Sequence, residues 1–146
     1  MRLRPVNVLL VEDDPGDVMI TREAFAEDLR NRLDVATTGT EALARLRRMP
    51  PYQDAPRPDL VLLDLNLPGR DGRDVLDDMR SDPELRDIPV VILTSSRVEA
   101  DIVRSIRLRA QAYITKPVDF AQVADAVRQI DRLFVCVFAA GAPCPS

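Results

Sequence analysis

The amino-acid sequence predicts a doubly wound α/β sandwich built on a five-stranded parallel sheet. Five short apolar segments, each typical of a buried strand, alternate along the chain with segments whose apolar residues recur at helical spacing. Strands that alternate with helices form parallel sheets through right-handed crossovers, so the helices cover both faces of the sheet. The 146 residues are enough for one such domain.

The beginning of the chain predicts two strands and two helices. An apolar strand at 6–11 leads into an acidic loop, and a helix from Asp17 follows with apolar residues at helical spacing. A more exposed strand at 33–37 is followed by the capping-box pattern of Thr38 and Glu41, which starts the second helix. We expect this helix to bury four apolar residues: Ala42, Leu43, Leu46 and Met49.

The rest of the chain predicts three further pairs of strand and helix, after a proline-rich connecting loop at 50–58. Each strand is an apolar run that ends at a polar residue, and each helix follows a break in the pattern. The predicted strands are 60–63, 90–93 and 112–115. The helices carry the apolar residues Val75, Leu76 and Met79, then Ile102, Val103 and Ile106, then Phe120, Val123, Val127, Ile130 and Phe134.

The composition excludes several classes of function. The chain contains 20 basic and 24 acidic residues, and its net charge of −4 argues against a surface for nucleic acid or anionic membranes. The absence of histidine excludes histidine-ligated metals and histidine-assisted nucleophiles. The two cysteines, Cys136 and Cys144, fit neither a metal knuckle nor a disulfide framework. With no signal peptide and no apolar stretch of about 18 residues, we expect a cytoplasmic protein.

Polar residues follow the predicted strands at the edge of the sheet where parallel α/β folds bind their ligands. Asp13 and Asp14 follow the first strand, and Asp64 follows the third. Three carboxylates in one cleft repel one another unless a cation enters, so the sequence predicts a divalent metal site. Mg²⁺ suits a site with so few protein oxygens, because it keeps several waters and also binds phosphoryl oxygens.

Thr94 and Lys116, which follow the fourth and fifth strands, indicate phosphoryl chemistry at the same edge. A phosphoryl group bound at Asp64 gains from an ammonium and a hydroxyl on the sides that a metal leaves open. A carboxylate is ionised at neutral pH and attacks phosphorus without a general base. The absence of histidine is therefore no obstacle to this reaction.

These segments resemble the receiver domains of two-component response regulators, which have a flavodoxin-like (βα)5 fold. The similarity covers roughly residues 5–134. It is carried by LLVEDD at 9–14, LLDLNLPGRDG at 62–72, VVILTSS at 90–96 and AYITKP at 112–117. The resemblance implies that Asp64 accepts a phosphoryl group from a histidine kinase in a Mg²⁺-dependent reaction.

The same resemblance implies a set of metal ligands. Asp14 is expected to bind Mg²⁺ directly and Asp13 largely through water. Asp64 and the backbone carbonyl of Asn66 are expected to complete the protein ligands.

The resemblance also implies a switch. Thr94 is expected to be the switch hydroxyl, and Lys116 the partner of Asp64 and of the phosphoryl group. Tyr113 is expected to turn inward when Thr94 is drawn to the phosphoryl group. The bond between Lys116 and Pro117 is expected to be cis.

The chain is further similar to the stand-alone regulators that work with bacterial phytochrome-type histidine kinases. The similarity lies in the loop at 50–58 and in the segments at 81–97 and 112–120. It implies a protein that is not an enzyme but assists its own phosphorylation and dephosphorylation. It also implies a sensor kinase as donor, a phosphotransfer or effector protein as downstream partner, and a homodimer.

We expect a receiver domain at 1–134 and an apolar extension at 135–146, which is too short for an output domain. Residues 133–140 are all apolar and uncharged, which is a longer apolar run than one buried helix face requires. They predict either packing on the same domain or a homodimer interface. Arg109 lies where many receivers have glycine, so the fourth helix is expected to end differently.

Two other functions stay open. A degenerate receiver that acts only as a protein-interaction or dimerisation module would account for the apolar extension, although the intact set of polar residues argues against it. An aspartyl-phosphate phosphatase also combines an aspartate nucleophile with threonine, lysine and a metal. Such enzymes resemble one another in carrying a second aspartate two residues after the nucleophile, where this chain has Asn66.

Overall fold

The computed structural model describes residues 7–25, 32–67, 72–94, 112–119 and 121–122. Within these ranges, strands and helices follow one another in the predicted order. The strands are β1 (Asn7–Val11), β2 (Arg32–Ala36), β3 (Leu60–Asp64), β4 (Val90–Thr94) and β5 (Ala112–Thr115). The helices are α1 (Pro15–Phe25), α2 (Gly39–Leu46) and α3 (Gly72–Ser81).

The five strands run parallel in one sheet, in the order β2-β1-β3-β4-β5. The order changes direction at β1, which has β2 on one side and β3 on the other. In such sheets the ligand crevice lies beyond the carboxyl ends of the strands at this switch point. Val11 pairs with Leu63, so the residues that follow β1 lie beside Asp64. The predicted flavodoxin-like architecture is confirmed.

The centre of the sheet is aliphatic and buried on both faces. All five residues of β3 and of β4 are buried, and β1 is buried from Val8 onward. Alternate residues of these strands form one apolar cluster with the inner faces of α2 and α3. Strands covered on both faces read as continuous apolar runs, which is why they could be found in the sequence. β2 lies at the sheet edge and is only partly buried.

Helix α2 begins as the capping box predicts but ends a turn early. Thr38 Oγ1 accepts a hydrogen bond from Glu41 N at 3.0 Å. At the other end, Arg48 adopts a left-handed φ of 53°, and Met49 N donates to the Ala44 carbonyl at 2.9 Å, which is a Schellman ending. Met49 therefore lies beyond the helix and is 53% exposed, so the expectation that it is buried is wrong. The other three predicted residues are buried.

Several predictions fall outside the described residues. They concern the fourth helix with Arg109, most of the fifth helix, and the extension at 135–146 with its two cysteines. The proline-rich segment at 50–58 is described, and it contains no helix or strand, as predicted. Among the residues that the structure describes, no helix combines the length and apolar character needed to cross a bilayer.

Candidate functional site

Three carboxylates meet where β1 and β3 end. Glu12 and Asp13 directly follow β1, and Asp64 is the last residue of β3. Each offers an oxygen atom, and these oxygens all lie within 4.8 Å of one another, so together they could hold one metal ion. Glu12 and Asp64 are buried, whereas Asp13 is exposed to water. These three residues are called the acidic cluster below.

Lys116 connects the acidic cluster to helix α1. Its Nζ atom lies 2.6 Å from Glu12 Oε2, 2.9 Å from Asp64 Oδ2 and 2.9 Å from Asp17 Oδ2. The ammonium donates hydrogen bonds to Asp64 and Asp17, whereas its contact with Glu12 is an ion pair. Strand pairing brings the lysine here, because Lys116 N donates to the Thr94 carbonyl at 2.8 Å and so extends the ladder between β4 and β5.

The crowding of charges shifts the acid-base behaviour of two groups. Burial raises the pKa of Glu12 from 4.5 to about 7, although the contact with Lys116 acts to lower it. Burial acts to lower the pKa of Lys116, but contacts with Glu12, Asp64 and Asp17 outweigh it, and the net pKa shift is upward. Lys116 is therefore a cation at neutral pH. Even with Glu12 partly protonated near neutral pH, the acidic residues described around this ammonium carry more negative charge than it neutralises.

The turn after β3 holds Asp64 in place. Asp64 Oδ1 accepts a hydrogen bond from Asn66 N at 2.9 Å, and Oδ2 accepts one from Lys116. Gly72, the first residue of α3, donates from its N atom to the Leu65 carbonyl at 3.1 Å. A Cβ atom at Gly72 would lie 2.5 Å from the Asp64 carbonyl oxygen. Glycine is thus required for α3 to begin this close to the strand end that carries Asp64.

The structure places Asp14 apart from the acidic cluster, although the resemblance implies that it binds the metal directly. Asp14 Oδ1 accepts a hydrogen bond from Gly16 N at 3.0 Å, and its carbonyl accepts one from Val18 N at 3.0 Å. Asp14 is therefore the N-cap of α1. Pro15 follows in the first helical position, where proline is favoured.

Thr94 and Tyr113 lie near the site on β4 and β5. Thr94 is buried, and its Oγ1 donates to the Ile114 carbonyl at 3.4 Å, which is long for a hydrogen bond of this type. Tyr113 is half-buried and packs against the apolar cluster that the strands form with α2 and α3. The peptide bond between Lys116 and Pro117 is cis, as the resemblance implies.

Two acidic residues at the site were not predicted from the sequence. Glu12 is the first polar residue after β1, so the rule that selected Asp13 and Asp14 applies to it equally. Asp17 lies in the first turn of α1, where an acid is expected simply to stabilise the helix. Because this local role explains the residue, the sequence gives no indication of its contact with Lys116, which is 99 residues away.

Comparison with known protein families identifies the domain. The response regulator receiver domain family matches residues 8–128, which include every residue of the site. This chain belongs to the receiver domain family. The predicted place in two-component signalling is thereby confirmed, and receivers are signalling proteins that interact with histidine kinases rather than classical enzymes.

The receiver is similar to response regulators of phytochrome systems. Response regulator Rcp1 of Synechocystis sp. is 36% identical over 132 residues, which cover 90% of each chain. The bacteriophytochrome response regulator AtBRR superposes with a TM-score of 0.81 at 45% identity, over 90% of this chain and 94% of that one. The phosphorylated cyanobacterial phytochrome response regulator RcpA superposes with a TM-score of 0.74 at 40% identity, over 97% and 99%. For the Mn²⁺-bound form of Rcp1, the TM-score is 0.72 at 35% identity, over 95% and 99%.

Proposed function

We propose that this receiver accepts a phosphoryl group on Asp64 from a histidine kinase in a Mg²⁺-dependent reaction, and relays the signal through a conformational change. The observation that carries the proposal is the position of Lys116 Nζ, 2.9 Å from Asp64 Oδ2, while Asp64 also belongs to the acidic cluster. A nucleophile, an ammonium and metal-binding carboxylates thus share one cleft at the switch point of the sheet.

Asp64 is suited to be the nucleophile. Its carboxylate attacks the phosphorus of a phosphohistidine on the kinase, in line with the leaving nitrogen. An O–P bond forms, the P–N bond breaks, and the electron pair stays on the imidazole of the kinase. Lys116 directs its ammonium at this carboxylate and so stabilises the charge that develops on the phosphoryl oxygens.

The acidic cluster fits Mg²⁺. Its donors are all carboxylate oxygens, its negative charge exceeds what Lys116 neutralises, and the exposure of Asp13 lets a bound ion keep waters. Asp13, Asp64 and the backbone carbonyl of Asn66 would hold the ion, with Glu12 beside them. When bound, Mg²⁺ would supply positive charge to the phosphoryl oxygens in addition to that of Lys116.

Thr94 and Tyr113 are suited to relay the change. In the part of the chain that the structure describes, the Thr94 hydroxyl donates a long hydrogen bond to the Ile114 carbonyl. A phosphoryl group on Asp64 offers charged acceptors, which bind a hydroxyl more strongly than a carbonyl does. We expect Thr94 to turn toward that group and release the β5 carbonyl next to Tyr113, which alters the packing of β5.

Intact-mass spectrometry with a small phosphodonor tests this proposal. Wild type should gain one phosphoryl group when Mg²⁺ is present and none when the metal is chelated. Asp64→Asn should gain none, whereas Asp54→Asn, a matched change in an exposed loop, should behave like wild type. A folded wild-type protein that gains no phosphoryl group in Mg²⁺ would contradict the proposal and favour an interaction module that is not phosphorylated.

The proposed donor is a phytochrome-type histidine kinase, because the receiver is similar to the phytochrome response regulators AtBRR and RcpA. A phosphotransfer or effector protein in the cytoplasm would read the phosphorylated form. Transfer from a purified phytochrome-type kinase to wild type, but not to Asp64→Asn, is the expected result. Equally rapid transfer from an unrelated sensor kinase would argue against phytochrome specificity.

We further propose that residues 1–134 form the receiver and that 135–146, which lie outside the described residues, form an extension. The uncharged apolar run at 133–140 supports a homodimer interface. Sedimentation of the full chain should show a dimer that is weakened when residues 135–146 are deleted. A monomer at every concentration, with and without the extension, would refute the dimer.

A further inference from the structure

Asp17 makes a contact with Lys116 that the proposed reaction does not itself use. Of the three carboxylates around the ammonium, Glu12 and Asp64 also belong to the acidic cluster, whereas Asp17 does not. A divalent ion bound in the acidic cluster would attract the carboxylates of Glu12 and Asp64 and would repel the ammonium of Lys116. Of these three carboxylates, only Asp17 would then interact with Lys116 without also interacting with the ion.

Helix α1 holds Asp17 in position for this contact. Asp17 is three residues after the N-cap Asp14, and its carbonyl accepts a hydrogen bond at 2.8 Å from the hydroxyl of Thr21, which is buried. Its short side chain reaches Lys116 Nζ at 2.9 Å while remaining 27% exposed. A short side chain on an ordered helical turn loses little rotamer freedom when it forms an ion pair.

The Lys116 side chain depends on this ion pair to stay ordered more than the Asp17 side chain does. Its side chain is long and flexible, and ordering it is unfavourable in conformational entropy. Its side chain is 16% exposed, so part of it already contacts solvent. Once the attraction of Glu12 and Asp64 is shared with a metal ion, the ammonium would move toward solvent unless a separate charge retained it.

We infer that Asp17 is a positioning residue that keeps Lys116 beside Asp64 when a cation occupies the acidic cluster. This inference rests on the proposed function, in which the Lys116 ammonium stabilises the phosphoryl group. The ion pair also joins α1 to the end of β5 across the site, and the two residues are 99 positions apart in the sequence.

The variant Asp17→Asn keeps the shape of the side chain and removes its charge. At saturating Mg²⁺, we expect its phosphorylation by a small phosphodonor to be about tenfold slower than that of wild type, because the ammonium is less often in place. The Mg²⁺ concentration for half-maximal rate should change less than about threefold, since Asp17 is not a metal ligand. Asp17→Glu, which keeps the charge, should recover part of the rate.

Glu23→Gln is the matched control, because it removes one negative charge from an exposed position of the same helix. It should change neither the rate nor the Mg²⁺ dependence. Equal slowing in Glu23→Gln and Asp17→Asn would show that net charge, not the contact with Lys116, is responsible, and would overturn the inference.

A double-mutant cycle tests whether Asp17 acts through Lys116. In a Lys116→Gln background, Asp17→Asn should leave the residual rate unchanged, because the group that it positions is gone. A general structural role would slow both backgrounds by the same factor. That outcome would overturn the inference.

The ammonium signal of Lys116 in nuclear magnetic resonance provides a readout that does not depend on phosphorylation. With no phosphodonor, this signal should persist in wild type as Mg²⁺ is added, and should be lost in Asp17→Asn. Loss in both proteins, or persistence in both, overturns the inference whether or not Asp64 is phosphorylated. If the two proteins differ as expected but wild type accepts no phosphoryl group, the positioning contact is established and the proposed function alone fails.

Discussion

Asp13 and Asp14 are adjacent carboxylates with different environments. Asp13 belongs to the acidic cluster, whereas Asp14 caps α1 through Gly16 N. We expect Asp13→Asn to weaken Mg²⁺ binding at least about tenfold, or about 1.4 kcal/mol, because it removes a charged oxygen ligand. Asp14→Ser keeps an oxygen for the N-cap and should change the affinity less than about threefold. Isothermal titration with Mg²⁺ compares the two variants.

The variant Asp14→Ala separates helix capping from metal binding. We expect it to lower the free energy of unfolding by about 1 kcal/mol while the Mg²⁺ affinity is retained. If Asp14→Ser lost most of its Mg²⁺ affinity while Asp13→Asn kept it, the assignment made from the structure would be wrong and Asp14 would be the ligand.

The sequence predicts where the site lies, but it does not predict the role of each acidic residue. The rule that ligands bind beyond the carboxyl ends of strands selects Glu12, Asp13 and Asp14 alike. Which of them faces the cleft depends on the backbone geometry after β1. The side chain of Asp14 accepts a hydrogen bond from Gly16 N in the first turn of α1 instead. The contact of Asp17 with Lys116 is a long-range contact, which no local pattern reveals.

Among the helices, α3 has its first residue packed against the strand end that carries Asp64. A Cβ atom at Gly72 would lie 2.5 Å from the Asp64 carbonyl oxygen and 2.7 Å from Leu65 Cα, so that backbone would have to shift. We expect Gly72→Ala to lower the free energy of unfolding by about 1 to 3 kcal/mol, measured by urea denaturation, and to slow phosphorylation.

Gly16→Ala is the control for this prediction. A Cβ atom at Gly16 would come no closer than 3.5 Å to Asp14 Oδ1, which is an ordinary contact, and alanine favours a helix over glycine. Gly16→Ala should therefore be at least as stable as wild type. If Gly72→Ala proved equally stable, the close approach of α3 to Asp64 would not be a constraint on the fold.

A substitution at the end of α2 is expected to raise the stability of the protein. Arg48 adopts the left-handed conformation that favours glycine, with a φ of 53°. We expect Arg48→Gly to raise the free energy of unfolding by up to about 1 kcal/mol, because glycine adopts this conformation without strain. Arg48→Ala removes the same side chain but keeps a Cβ atom, and it should show no gain. Equal effects of the two variants in thermal unfolding would contradict this explanation.

Within the described residues, the strands and helices could be predicted from the sequence, but their ends less accurately. β3 and β4 each include one polar residue beyond the apolar run, Asp64 and Thr94, because backbone pairing continues to the end of the ladder. α1 begins earlier than its apolar spacing suggests, because Asp14 and Pro15 start it. The end of α2 could not be predicted, since Arg48 takes the position where glycine usually marks a helix end.

For the molecule as a whole, the acidic cluster couples metal binding to stability. A ligand that binds only the folded state adds free energy of unfolding, about 2.7 kcal/mol at a concentration 100 times its Kd. We expect Mg²⁺ to stabilise wild type in this way, and Asp54→Asn equally. In Asp64→Asn the gain should be smaller at the same Mg²⁺ concentration. Urea denaturation with Mg²⁺ or with chelator measures these gains, and equal gains in all three proteins would place the ion elsewhere.

The order of the strands in the sheet is not encoded in the apolar pattern of the sequence. Apolar periodicity identifies each strand but carries no information on which strands pair. The alternation of strands and helices limits the topology to doubly wound sheets, but the order β2-β1-β3-β4-β5 comes from the structure. The convergence of Glu12, Asp13, Asp64 and Lys116 follows from that order.

Borohydride trapping shows which residue carries the phosphoryl group, which we propose is Asp64. Borohydride reduces an aspartyl phosphate to homoserine, which peptide mass spectrometry locates in the sequence. After incubation with a phosphodonor and Mg²⁺, homoserine should be found at position 64, and it should be absent when the metal is chelated. Homoserine at Asp13, Asp14 or Asp17, or none in a folded protein, would contradict the account.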